Sequence, residues 1–227
     1  MDVPPPLSWR AGSGWLVLLG GSSGLWRATE AIDRAAIDAL GRDGPIAFVP
    51  AAQCPPDYGE TFLAHYAELG APPGYVVPVH DQASARDPEN VRLLAQAGLI
   101  YIGGGETPAL LEAMTGSPAL DAIALAHAEG AVVVGMSAGA IALAAWGVSI
   151  DPDVGLLQGW SWLVNAVVAP HYTPERAAAL DGALAQQPHA LGIGIPEHTA
   201  LALGPDGLMR AWGDGDIAFT PGPKASY

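Results

Sequence analysis

Lysine is all but missing: Lys224, near the carboxyl end, is the only one in 227 residues. A Walker A loop and a pyridoxal phosphate Schiff base each need a lysine inside the fold, so both are excluded. Cations of either kind number 9 against 23 acidic residues, a formal net charge of -14. That balance excludes the clustered Lys and Arg of a nucleic-acid-binding surface, because this chain repels a polyanion. Cysteine is as scarce. The lone Cys54 rules out internal disulfides and thiolate zinc sites and fits a reducing compartment. Charged residues make up only 14% of the chain, where roughly 25% is usual, and 50% of it is hydrophobic. This is the composition of one catalytic-sized domain with a large core, spanning 1–227, with 1–12 and 221–227 as loose ends.

One long uncharged run is present, at residues 131–150. Hydropathy alone reads it as a membrane span. Three glycines and two serines interrupt it, acids flank it, and no nearby cation sets an orientation, so a buried strand, a turn and a buried helix explain it better. No secretory leader is evident in the first residues. A soluble, cytoplasmic protein is expected, with no membrane and no nucleic-acid partner.

Short runs rich in Val, Ile and Leu, bounded by Gly or Pro, alternate with segments of helical spacing, the pattern of parallel β/α units. Strands are expected at 15–19, 46–49, 75–79, 99–102, 131–134, 166–168, 191–195 and 199–203. Helices are expected at 27–40, 58–69, 88–97, 108–114, 118–128, 138–146 and 174–185. The last two strands read as a late antiparallel addition. An α/β fold follows, an open, mostly parallel sheet with helices on both faces and its ligand at the carboxyl ends of the strands.

The string Gly135-Met-Ser137-Ala-Gly139 sits between a buried strand and a buried helix. A nucleophile elbow needs that context: the serine occupies a strained turn, and small residues two before and two after let backbone pass close by. The Ala138 amide, opening the helix, then points at a developing oxyanion. Upstream, Ile102-Gly-Gly-Gly-Glu-Thr-Pro108 runs a strand into a turn with several exposed N–H groups, suited to phosphate or to a second oxyanion donor. A second cluster, Gly20-Gly-Ser-Ser-Gly24, reads equally well as a tight βα turn or as part of the site wall. Among six histidines, His171 follows a strand directly and falls at its carboxyl end, the place for a general base. His80 and His198 are weaker rivals.

Together, Tyr101-Ile-Gly-Gly-Gly-Glu-Thr-Pro, Gly135-Met-Ser-Ala-Gly-Ala, Ala169-Pro-His-Tyr and Leu191-Gly-Ile-Gly-Ile-Pro-Glu-His-Thr-Ala-Leu201 resemble, in order and spacing, the peptidase E and cyanophycinase family of serine peptidases. The resemblance covers the chain from the first strand to about Phe219. It implies a flavodoxin-like three-layer α/β/α sandwich, akin to class I glutamine amidotransferase domains. It further implies Ser137 as nucleophile, His171 as base, and oxyanion donors at Ala138 and in the 103–105 turn, at Gly104 and Gly105. For the third triad member the family offers two patterns. The Gly-Ile-Gly-Ile-x-Glu string, intact here, favours Glu197; the peptidase E pattern makes the acid Asp151 or Asp153.

The chain departs from the family in its specificity residues. Ala169-Pro170 stand where cyanophycinase-like enzymes carry a polar pair, and Arg176 is the only arginine shortly after His171. Arg176 is therefore the candidate partner for a substrate carboxylate, and Glu106 the candidate partner for an α-ammonium group. The expected function is a serine peptidase with no cofactor and no metal, acting on short peptides such as dipeptides with N-terminal Asp. The alternatives are a β-aspartyl isopeptidase or amidase of the cyanophycinase type, and a non-catalytic amidotransferase-like binding protein. The expected partners are a small peptide substrate and, at most, a second copy in a homodimer.

Overall fold

The computed structural model describes residues 7–22, 26–50, 53–55 and 57–225. After a two-residue strand, β1 (Ser8–Trp9), the chain alternates strands and helices: β2 (Leu16–Leu19), α1 (Glu30–Asp38), β3 (Ile46–Val49), α2 (Tyr58–Glu68), β4 (Gly74–Val76), α3 (Pro88–Gln96), β5 (Leu99–Ile102), α4 (Thr107–Met114), α5 (Pro118–Ala128) and β6 (Val132–Met136). The strands read as unbroken apolar runs because a parallel sheet is covered on both faces. Strands β2, β6, β5, β3 and β4 lie side by side, all parallel. Period-two alternation divides their side chains between two layers. Val17, Leu19, Phe48 and Tyr101 pack with Ile32, Phe62 and Tyr66 of α1 and α2. Leu16, Leu18, Val49, Ile100 and Ile102 face the opposite way, toward α3, α4 and α5. Local chemistry fixes the helix starts: Asp87 and Ser117 accept from the amides of Glu89 and Leu120, and each is followed by a proline in the first helical turn.

Beyond β6 the chain leaves this sheet. Helix α6 (Ala138–Leu143) gives way at once to β7 (Ala144–Val148), followed by β8 (Leu156–Gln158), β9 (Leu163–Pro170), α7 (Ala177–Gln186) and β10 (Leu191–Ile195). β11 (Thr199–Leu203) and β12 (Met209–Gly213) then return to the first sheet, antiparallel beside β2, and β13 (Ala218–Pro221) closes the second sheet against β10. The result is a seven-stranded sheet, β12-β11-β2-β6-β5-β3-β4, and a six-stranded sheet in which β7, β9 and β10 are parallel. Parallel-dominated sheets between helices make this the three-layer α/β fold, built from two sheets where one was expected.

The expected helix 138–146 is therefore shorter than its spacing suggested. The carbonyls of Ala142, Leu143, Ala144 and Ala145 accept from the amides of Trp160, Trp162, Ser161 and Gly159. A downstream segment thus takes the acceptors that a further helical turn would have used, and Ala144 is free to start a strand. Of the last two expected strands, only β11 is an antiparallel addition; β10 is a parallel crossover through α7. Nor are the ends loose where they are described. Ser8 and Trp9 pair with Val164 and Leu163, and the Gly222 and Lys224 amides donate to Ala190 and Pro188. The proline-rich start, residues 23 and 24 of the Gly20–Gly24 cluster, and residues 226–227 lie outside the described residues. The uncharged run 131–150 is divided among β6, α6 and β7. Among the described residues no single helix is long and apolar enough to cross a membrane, and the one pair that qualifies together, α4 and α5, is bent by 89°.

Candidate active site

At the carboxyl end of β6 the backbone turns sharply through Ser137, with φ 52° and ψ -104°. A non-glycine residue there is strained and persists only where its surroundings fix it. The Ser137 amide donates to Leu19 at 2.9 Å. The glycines on either side answer to close packing: a Cβ on Gly135 would lie 2.5 Å from the Gly139 oxygen, and one on Gly139 would lie 2.6 Å from the Ile102 oxygen.

The base and its partner come from the other sheet. His171 follows β9 with φ 50°, and Glu197 follows β10. The glycine pair after β2 fastens both to the first sheet. Gly20 accepts from the His171 amide at 3.0 Å, and Gly21 accepts from the His198 amide at 2.9 Å. A Cβ on Gly20 would lie 2.0 Å from the Pro196 oxygen, and one on Gly21 would lie 2.4 Å from the His171 ring. Of this cluster, Gly21 and Ser22 are thus part of the site wall. The Ser137 Oγ lies 2.8 Å from His171 Nε2, and His171 Nδ1 lies 2.6 Å from Glu197 Oε1. A carboxylate accepts the Nδ1 proton, which leaves the Nε2 lone pair facing the hydroxyl.

The two aspartates stand apart from the imidazole. Asp151 accepts from the Asp153 amide at 2.9 Å in a turn after β7, and that turn borders the cleft through Asp151 rather than through Asp153. The 103–105 turn lies against the nucleophile, since a Cβ on Gly104 would be 3.3 Å from that of Ser137. Ala138 is buried at the first position of α6, where helical amides have no partner within the helix. Glu106 is exposed on the rim. Arg176, expected to face substrate, does not line the cleft. Its Nη1 donates to the carbonyls of Pro170 and His171, and its Nη2 to that of Ser149 at 2.9 Å. Half-burial pushes its pKa below the ordinary guanidinium value. The other histidines are elsewhere, except that His198 Nε2 is 3.6 Å from the second oxygen of Glu197.

Two hollows meet at Ser137. One, of about 350 Å³, is walled by Cys54, Tyr58, Met136 and His171; the other, of about 360 Å³, is walled by Thr107, Ser149 and Asp151. Glu106 and Ile150 border both. Burial raises the Cys54 thiol and the Tyr58 phenol above their ordinary pKa values, so both are neutral walls near pH 7. Sequence reasoning missed Tyr58 at the start of α2, Met136 at the end of β6, and Ser149 and Ile150 after β7, which only the fold brings together. A larger hollow of about 710 Å³, bordered by Arg42 and Pro73, lies at the amino end of β3, away from these groups. Among the described residues no three His, Cys, Asp or Glu side chains are grouped to hold a metal ion.

Known proteins resemble the chain in sequence and in fold. The model of peptidase family S51 matches residues 16–209. The chain is 26% identical over 223 residues to a cyanophycinase of Geminocystis herdmanii (strain PCC 6308), covering 93% of this chain and 82% of that protein. It is 27% identical over 225 residues to a cyanophycinase of Synechococcus elongatus, covering 94% and 70%. A crystal structure of a peptidase from an acI-B1 actinobacterium superposes with a TM-score of 0.76 at 23% identity, covering 93% of each chain, a likeness of fold.

Proposed function

Because the chain belongs to peptidase family S51, and is a serine peptidase by that membership, we propose that Ser137, His171 and Glu197 are its catalytic triad. The observation that carries this reading is the unbroken relay from Ser137 Oγ to His171 Nε2 and from Nδ1 to Glu197, at 2.8 and 2.6 Å. His171 takes the hydroxyl proton as Oγ attacks the scissile carbonyl, and Glu197 stabilises the imidazolium that forms. The amide of Ala138 and one from the Gly104–Gly105 turn receive the oxyanion. His171 then protonates the leaving amine, and water, deprotonated by the same imidazole, releases the acyl group and restores Ser137.

The two hollows divide the substrate. The group that protonates the leaving nitrogen must lie on the leaving side, and His171 borders only the hollow with Tyr58 and Cys54. The acyl residue accordingly occupies the hollow with Asp151 and Glu106. No Lys or Arg borders either hollow among the described residues, so a preference for N-terminal aspartate has no cation to rest on. We favour short peptides with a free α-ammonium group, received by Glu106. The second reading, an isopeptidase or amidase of the cyanophycinase type, draws on the likeness to the Geminocystis protein. A cytoplasmic location belongs to the same proposal and rests on the scarcity of cysteine.

The test compares hydrolysis of Leu-Leu, Asp-Leu, N-acetyl-Leu-Leu and β-aspartyl-arginine. Faster cleavage of Leu-Leu than of the acetylated peptide, with no advantage for Asp-Leu, supports the first reading. Cleavage of β-aspartyl-arginine alone establishes the second.

A further inference from the structure

We propose that Arg176 is a positioning residue for the general base, its guanidinium fixing the strained backbone at His171 to the cleft wall at Ser149. The proposal rests on the reading of His171 as base. A histidine at φ 50° is in the left-handed region and needs its backbone held from both sides. On the amide side the holder is Gly20, which accepts from the His171 N–H. On the carbonyl side it is Arg176. Nη1 donates to the carbonyl of Pro170 and, at 3.3 Å, to that of His171, while Nη2 reaches Ser149 at 2.9 Å.

The local fold makes this reach available. A 3-10 turn, Pro174–Arg176, closed by the Arg176 amide on Thr173, doubles the chain back so that the side chain points at the end of β9. The planar fork of an arginine can span acceptors on two segments at once, which the point charge of a lysine cannot. The acceptors are neutral carbonyls, so desolvating the guanidinium is compensated only by these hydrogen bonds, an arrangement costly for a residue with no positional task. Ser149 in turn precedes Ile150 and Asp151, both cleft-wall residues. Arg176 therefore joins the base to the wall against which the acyl residue lies, without touching substrate.

Arg176→Met and Arg176→Lys, compared with wild type, test this. Misplacing a catalytic group by about 1 Å costs on the order of a hundredfold. The expected result for Arg176→Met is a kcat lowered roughly ten- to a hundredfold with KM within about threefold, and an equal fall in the rate of labelling by a Ser-directed fluorophosphonate. Labelling uses Ser137 and His171 but little of the peptide cleft. Arg176→Lys is expected to fall between the two. A raised KM with kcat intact, or wild-type kcat and labelling in either folded variant, overturns the proposal. So does loss of the fold in both variants, which would make Arg176 a stability residue. Ser137→Ala, run alongside, separates failure of the triad reading, because activity surviving there removes the triad whatever Arg176 does.

Discussion

The seven-stranded sheet supplies the nucleophile and the six-stranded sheet supplies the base and its carboxylate, and the two are built in different ways. In the first, Leu16–Leu19, Ile46–Val49, Leu99–Ile102 and Val132–Met136 are wholly buried, and the elbow is held by backbone packed on backbone around Gly135 and Gly139. In the second, β9 and β10 are also buried toward their carboxyl ends, and His171 is held by the Gly20 carbonyl on its amide, by a guanidinium on its own carbonyl and by two ring contacts. Packing fixes the nucleophile; polar contacts fix the base. Substitutions of equal size should therefore cost stability on one side of the cleft and activity on the other.

The largest effect belongs to the group that reacts. Ser137→Ala should lower kcat by about 10⁴-fold or more with a melting temperature close to wild type, since the glycines and not the hydroxyl hold the turn. Activity within tenfold of wild type would remove Ser137 as nucleophile. Next comes the carboxylate. Glu197→Gln offers a donor where an acceptor is needed and should cost roughly 10³- to 10⁴-fold, while Asp151→Asn and Asp153→Asn stay within about tenfold. A dead Asp variant beside an active Glu197→Gln would transfer the role to the turn after β7.

Two glycine substitutions set the sheets against each other directly. Gly139→Ala presses a methyl group on the Ile102 carbonyl and should cost about 1–3 kcal/mol in denaturant unfolding. Gly21→Ala presses on the His171 ring instead and, at φ 156°, also strains its own backbone, so its mark is a kcat lowered on the order of a hundredfold, beyond what its loss of stability explains. The reverse pattern would break the comparison.

The last effect is in pH. His127 of α5 is 1% exposed against Trp162, just before β9, and neither ring nitrogen has a hydrogen-bond partner among the described residues. Burial, with the nearby charge of Arg10, lowers its pKa from 6.5 to about 4. The unfolded chain therefore binds a proton that the folded chain refuses as pH falls between those values. Stability is lost across that window, by at most about 3 kcal/mol, and the loss ends below the folded pKa. Melting curves of His127→Leu should show a flatter pH slope than wild type; parallel slopes would place the titration elsewhere.

How legible each region was in the sequence follows from the same contrast. Ile46–Val49, Leu99–Ile102, Leu191–Ile195 and Thr199–Leu203 are where their continuous apolar runs put them. β7 was hidden because Ala144-Ala-Trp-Gly-Val148 continues the small apolar residues of α6, and its strand state depends on amides from residues 159–162. β8, β12 and β13 were hidden because edge strands that face water lack such runs. In the site, local chemistry singles out Ser137 and His171, whereas Glu197 stands out only through the family resemblance. The acceptors of Arg176, at Pro170, His171 and Ser149, are backbone atoms that no side-chain pattern announces. The hollow walls at Tyr58 and Ile150 depend on how α2 and the turn after β7 converge, which is a property of the fold and not of any one segment.

The most direct test of the relay is mapping by mass spectrometry of the residue that a fluorophosphonate modifies, with labelling rates in wild type, His171→Ala and Glu197→Gln. The relay predicts one adduct, on Ser137, formed at a rate that falls by orders of magnitude when His171 is removed and markedly when Glu197 cannot accept the Nδ1 proton. An adduct on another residue, or labelling of Ser137 that is indifferent to both substitutions, would contradict it.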